Sequence, residues 1–188
     1  TVKNRLAVAP MTHFGSHADG LISDQERAFL GNRAGDMGLF ISAATLIQEG
    51  GKAFRGQPEA TGENCLDSLK ETAQIIQKQG AKVILQIHHG GSQAMVELNH
   101  RDKISASASE KDGAREASAA EVEELIASFA QAADLALRAG FDGVEIHGAN
   151  AYLLQQFVSA QTNRRTDEWG GNLHNRLRFP LTVVDAVA

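Results

Sequence analysis

Four short apolar runs separated by longer amphipathic stretches constrain this chain more than any other feature. Leu6-Ala-Val-Ala-Pro10, Gly38-Leu-Phe-Ile-Ser-Ala-Ala-Thr45, Ala81-Lys-Val-Ile-Leu-Gln-Ile-His88 and Asp142 to His147 read as strands. The stretches between them are helical and have identifiable ends. Ser23, with Glu26 three residues on, forms a capping box that opens a helix to about Ala34. A Gly-rich loop from Glu49 to Asn64 leads into a helix from Leu66 to Gln79, stopped by Gly80. Ser118 and Glu121 open another capped helix, which runs to Ala139 and ends at Gly140. Strands joined by helical crossovers must be parallel, because only a long connection returns the chain to the same end. Each strand is apolar on both faces, as a parallel sheet covered by helices requires. The expected fold is therefore α/β, four βα units in sequence order, with Thr12, Thr45, Gln86, His88 and His147 at the C-terminal strand ends. Both a (β/α) barrel and an open doubly wound sheet place their chemistry there. No G-x-G-x-x-G follows the first strand, which argues against a dinucleotide-binding open sheet.

Composition narrows the function classes. A chain of 188 residues, 43% hydrophobic and 22% charged, can bury one sizeable core. A net charge of −5 provides no basic field for nucleic acid. No apolar run approaches the roughly 20 residues that span a bilayer, and no signal-peptide pattern opens the chain. A cytoplasmic protein without nucleic-acid or membrane partners is expected. The single cysteine, Cys65, rules out an internal disulfide and reads as a small packing residue in a reducing compartment. Residues 89–117 are too many for a bare connection and read as a lid or small hairpin inserted in the domain.

The chemistry concentrates where the fourth strand runs into a helix. His147 and Asn150 can both donate to one oxygen, and Tyr152, the only tyrosine of the chain, can donate a proton. Such a constellation suits polarising and protonating a carbonyl compound. A metal site is not expected. His88 and His89 are adjacent on a strand, so they point to opposite faces, and no carboxylate or thiol stands at ligand spacing. Strand parity puts Gly143, Glu145 and His147 on one face, Ser42 with Ala44, and Ile84 with Gln86. Arg164, Arg165, Asp167 and Glu168 read as structural ion pairs and Trp169 as a packing anchor. Pro180 should kink a helix or mark its first turn.

Four segments together resemble the old yellow enzyme family: Lys3 to Thr12, Gln86-Ile-His-His-Gly-Gly91, Gly140 to Leu154, and Asn163 to Arg176. They occur in the family's order over nearly the whole chain. The resemblance implies an FMN-dependent ene-reductase on a TIM barrel, with residues 1–188 supplying the N-terminal part of a single FMN-binding domain and only the first four of eight βα units. It implies that Ala9, Pro10, Met11 and Thr12 meet the isoalloxazine mainly through backbone, with Ala44 and Gln86 also against the flavin. His147 and Asn150 would bind the substrate oxygen, Phe14 would contact substrate, and Tyr152 would donate the proton. NADH or NADPH would be the reductant, and an enone or nitroalkene the small-molecule substrate. A homo-oligomer or a missing C-terminal half is the expected partner. Two other readings stand beside this one. The chain is a non-catalytic half-barrel unable to hold FMN alone, or a flavin-free TIM-barrel lyase or isomerase using His147 and Tyr152 as acid and base. The latter lacks a Schiff-base lysine at a strand end, since Lys82 begins the third strand.

Overall fold

The computed structural model describes residues 1–188 apart from the side chain of Asn99. The chain divides into two compact units: Thr1–Ile47 with Arg55–His88 and Gln131–Ile146, and Gln48–Phe54 with His89–Ala130 and His147–Ala188.

The first unit carries a parallel sheet. Its strands are β1 (Ala7–Val8), β2 (Leu39–Ile41), β3 (Thr45–Leu46), β4 (Lys82–His88) and β7 (Gly143–Ile146). β1 pairs with β2, β2 with β4, and β4 with β7, all parallel and in sequence order. The four expected βα strands are therefore present as parallel neighbours. β4 is the spine, with Val83, Leu85 and Ile87 essentially inaccessible and Gln86 and His88 also buried. Each fully buried aliphatic side chain contributes roughly 1.5–3 kcal/mol. α2 (Leu66–Gln77) buries Leu69, Ala73 and Ile76, the one-face spacing of an amphipathic helix, and Gly80 turns the chain at φ +85°.

Two elements depart from the sequence expectation. The second strand breaks into β2 and β3, both paired with β4. The cause is Ser42, whose hydroxyl accepts the Gln86 N–H at 3.0 Å where a backbone carbonyl would otherwise serve. α1 (Asp24–Leu30) opens at Ser23 as expected but stops short of Ala34. The Gln79 side chain enters the ladder there. Its amide donates to the Leu30 carbonyl and accepts the Ala34 N–H, each at 2.9 Å, replacing the next helical bond.

The second unit is built on α3 (Val96–Asn99), β5 (Lys103–Ser105), β6 (Ala114–Glu116), the first part of α4 (Ala119–Ala139), α5 (Leu153–Val158) and α6 (Leu173–Val187). Within 89–117, β5 and β6 pair in parallel, where a plain hairpin would be antiparallel. A tight antiparallel turn closed between Ser109 and Ala114 is nested inside that pair. The capping box at Ser118 and Glu121 forms, and a hydrogen bond from Arg115 helps hold the Glu121 carboxyl down to about 2. α5 and α6 pack through Phe157 and Phe179, with ring centroids 4.4 Å apart. Pro180 sits inside α6 rather than in its first turn. Arg165 pairs with Asp167 at 2.6 Å and Glu168 with Arg178 at 2.9 Å, while Arg164 donates to backbone carbonyls. Trp169 and Cys65 are buried. No helix among the described residues is long and apolar enough to cross a membrane.

Candidate active site

In the second unit, three candidate residues come together on one turn. The half-buried His147 follows β7 in the chain, and its ring meets that of Tyr152 edge-on, centroids 5.2 Å apart at 84°. The Ala149 N–H points to His147 Nδ1 at 3.4 Å, making Nδ1 the acceptor and leaving Nε2 to donate. Asn150 and Ala151 both stand at positive φ, +57° and +58°. Asparagine tolerates this region; for alanine it costs roughly 1–2 kcal/mol. Tyr152 then caps α5 in extended conformation. Two left-handed residues in succession reverse the chain, and the rings of His147 and Tyr152 meet across that turn. Asn150 is exposed and Tyr152 half-buried.

The turn is secured by side chains the sequence did not single out. Gln93 Nε2 donates to the carbonyls of Asn150, at 3.0 Å, and Ala151, at 2.7 Å. Gln156 Nε2 reaches the same Ala151 carbonyl at 2.7 Å, and Gln155 Oε1 accepts the Ala151 N–H at 2.6 Å. No sequence signal marks them, since non-glycine residues at 150 and 151 give no sign of positive φ and Gln93 lies 57 residues from Asn150.

Behind the turn, His89 is buried, and burial pushes its imidazole down to about 3, so it is neutral. It accepts the Gly91 N–H on Nδ1 at 3.1 Å, which places its proton on Nε2. A Cβ on Gly51 would lie 2.3 Å from the His89 ring, so that position must be glycine. Among the described residues, no group of three or more His, Cys, Asp or Glu is arranged to hold a metal ion.

The first unit carries the other predicted residues. Ala9, Met11 and Thr12 are exposed after β1, with Pro10 half-buried between them. Ala44 is buried at the gap between β2 and β3, its carbonyl accepting from Gln57 Nε2 at 3.2 Å. The same Gln57 nitrogen lies 3.1 Å from His88 Nδ1. Gln86 stands opposite Glu145 in register, and its Nε2 donates to Glu145 Oε1 at 2.6 Å, so the two share a face as parity requires. That bond fixes the amide and leaves Gln86 Oε1 without a partner among the described residues. Phe14 is 65% exposed and stands at φ +53°.

These residues suit a flavin. Ala44 offers no bulk beyond Cβ to a flat ring. Gln86 Oε1, its amide fixed by Glu145, is an acceptor of the kind a flavin's ring N–H requires, and the exposed backbone at Met11 and Thr12 offers further polar groups.

Known proteins resemble this chain over its whole length. The model of the NADH:flavin oxidoreductase / NADH oxidase family matches residues 1–188. A probable NADH-dependent flavin oxidoreductase, YqiG of Bacillus subtilis (strain 168), is 46% identical over 191 residues, covering 100% of this chain and 51% of that protein. Morphinone reductase in complex with tetrahydroNAD superposes with a TM-score of 0.92 at 32% identity, over 100% of this chain and 57% of that one. The old yellow enzyme homologue from Zymomonas mobilis superposes with a TM-score of 0.93 at 31% identity, over 99% and 56%. The chain thus spans about half the length of the relatives it matches. The parallel βα units are those of the old yellow enzyme TIM barrel, seen here without closure of the barrel. The family's cofactor is FMN and its reductant a nicotinamide nucleotide. Sequence, sheet topology and superposition agree, and the chain belongs to the NADH:flavin oxidoreductase / NADH oxidase family.

Proposed function

We propose that this chain provides the flavin-holding and substrate-protonating residues of an FMN-dependent ene-reductase acting on an enone or nitroalkene. One observation carries the reading: His147, whose Nδ1 accepts the Ala149 N–H and leaves Nε2 to donate, meets Tyr152 edge-on across the turn that carries Asn150. Ala9, Pro10, Met11, Thr12, Ala44 and Gln86 would hold FMN. When bound, FMN would supply two-electron hydride chemistry between NADH or NADPH and the activated alkene. His147 Nε2 and the Asn150 amide donate to the carbonyl or nitro oxygen, where negative charge develops; losing one such donor typically costs about 3 kcal/mol in the transition state. Tyr152 gives its phenolic proton to the α-carbon, so that the substrate gains one hydride and one proton, and water restores the phenol. Phe14 presents an exposed apolar ring to the substrate body. The position in the cell is proposed to be cytoplasmic.

Tyr152→Phe in the full-length, FMN-loaded protein tests this. Enone turnover should fall about 10²- to 10⁴-fold. A nitroalkene, whose anion is stable without protonation, should still accept hydride at a comparable rate. Undiminished enone reduction in single turnovers would assign the proton to water and leave Tyr152 a wall of the pocket.

A further inference from the structure

The turn that carries Asn150 and Tyr152 is held in a costly conformation, and what holds it is three glutamine side chains. Asn150 and Ala151 stand at φ +57° and +58° in succession, with no glycine to relieve either. Residues in sparsely populated backbone regions persist only where their surroundings over-determine them. Here the surroundings account for nearly every polar group of two peptide units. The Asn150 carbonyl accepts from Gln93. The Ala151 carbonyl accepts from both Gln93 and Gln156, at 2.7 Å each. The Ala151 N–H donates to Gln155 at 2.6 Å, and the Tyr152 N–H to the Ala149 carbonyl at 3.2 Å.

The clamp is itself anchored. Gln156 is 2% exposed, and its Oε1 accepts from the Ser92 N–H at 3.1 Å and the Ser105 hydroxyl at 2.9 Å. These bonds fix the orientation of the amide, so that its nitrogen must face the Ala151 carbonyl. Gly91 makes room for it, since a Cβ there would lie 2.2 Å from Gln156 Oε1. Gln156 therefore ties the turn to two other segments of the second unit, near Ser92 and near Ser105.

We propose that Gln93, Gln155 and Gln156 are positioning residues that impose the left-handed geometry of Asn150–Ala151, and so set the relation between the oxygen-binding donors and the Tyr152 proton donor. The assignment of those roles rests on the function proposed above; the clamp itself rests on the hydrogen bonds. The mechanism is preorganisation. An oxyanion donor and a proton donor must act on neighbouring atoms of one substrate, and a displacement of about 1 Å costs up to about a hundredfold in rate. A clamp of neutral amides fixes that relation without placing an ionisable group against either donor.

The test uses the full-length, FMN-loaded protein with Gln93→Met and Gln155→Met made separately. Both side chains are exposed, so the fold does not depend on them as it does on Gln156. Hydrogen exchange at the Ala151 amide is read first. Gln93 does not touch that N–H, yet Gln93→Met should speed its exchange at least about tenfold, because the clamp acts as a unit. Enone kcat should fall about ten- to a hundredfold in each variant, and binding of a substituted phenol, a mimic of the developing oxyanion, should weaken. Adding Ala151→Gly to Gln93→Met should recover most of the kcat loss, since glycine adopts positive φ without strain. Unchanged Ala151 exchange in Gln93→Met overturns the clamp. So does a kcat loss that glycine fails to recover, because the glutamine would then act other than through the turn's backbone. If the wild-type protein reduces no enone, the proposed function fails, while Ala151 exchange still decides the clamp.

Discussion

Two turns of this molecule hold non-glycine residues at positive φ beside candidate substrate contacts, and they are held by opposite chemistry. In the first unit, Phe14 stands at +53° with its ring largely in solvent. Its flanks are tied to a buried carboxylate. Glu26 accepts from the Ser16 hydroxyl at 2.8 Å and from His13 Nε2 at 3.1 Å, and His13 Nδ1 accepts the Gly15 N–H at 3.0 Å. Ser16 N–H donates to the Gly56 carbonyl, and a Cβ on Gly56 would press to 2.4 Å from the Phe14 carbonyl oxygen. In the second unit, Asn150 and Ala151 are held by amides alone. One holder concentrates its bonds on a single carboxylate, and the other spreads them over three amides. The first should therefore fail by a single substitution, and the second by degrees.

The largest effect should come from breaking the charged holder. Glu26→Ala strands the His13 N–H and the Ser16 hydroxyl in a site where Glu26 is 4% exposed. Each buried donor left unsatisfied costs about 1–3 kcal/mol, and this substitution leaves two. The denaturant midpoint should fall accordingly, with Glu26→Gln retaining part of the difference. A loss below about 1 kcal/mol for the alanine variant would show that the carboxylate does not hold the turn.

A smaller effect tests whether the amide-held region is indifferent to pH. His89 is bonded into it through the Gly91 N–H and through its own carbonyl, which accepts from Leu153 N–H. Burial lowers this imidazole from 6.5 to about 3. Between those values the unfolded chain binds the proton and the folded protein does not. Stability is therefore complete above about 6.5 and is lost as pH falls toward 3, by up to about 1.4 kcal/mol per pH unit. His89→Gln should flatten the slope of unfolding free energy between pH 6.5 and 4. Equal slopes in both proteins would show that His89 takes up a proton without cost and that the comparison has missed a charge in the second unit.

What the sequence disclosed follows the range of the forces involved. The βα order, the capping boxes at Ser23 and Ser118 and the facing of Gln86 and Glu145 are set by neighbours within one turn or by a two-residue period. Those were legible. So was the approach of His147 to Tyr152, because they stand only five positions apart. The break at Ser42, the entry of Gln79 into the end of α1 and the parallel pairing of β5 with β6 each depend on a partner dozens of residues away or on a chain reversal without a periodic signature. Both holders escaped the sequence for the same reason. A glutamine 57 residues from Asn150 and a histidine that reaches Glu26 leave no pattern in composition or period.

The smallest effect concerns Phe14, and its sign is the point. A bulky residue at φ +53° costs roughly 1–2 kcal/mol, which its 65% exposed ring recovers only in part through packing. Asparagine is at ease in this region, and the backbone bonds of the turn, from Gly15 and Ser16, run to His13 Nδ1 and the Gly56 carbonyl. Phe14→Asn should therefore leave the protein as stable as before, or raise its unfolding free energy by up to about 1 kcal/mol. Enone KM should rise in the same variant, with kcat little changed, because an apolar wall has been lost and the donors at 147, 150 and 152 are untouched. Stability gained and binding lost would identify the strain at Phe14 as kept for the substrate. A fall in stability with KM unchanged would make Phe14 a packing residue, and only the amide-held turn would then store strain for function.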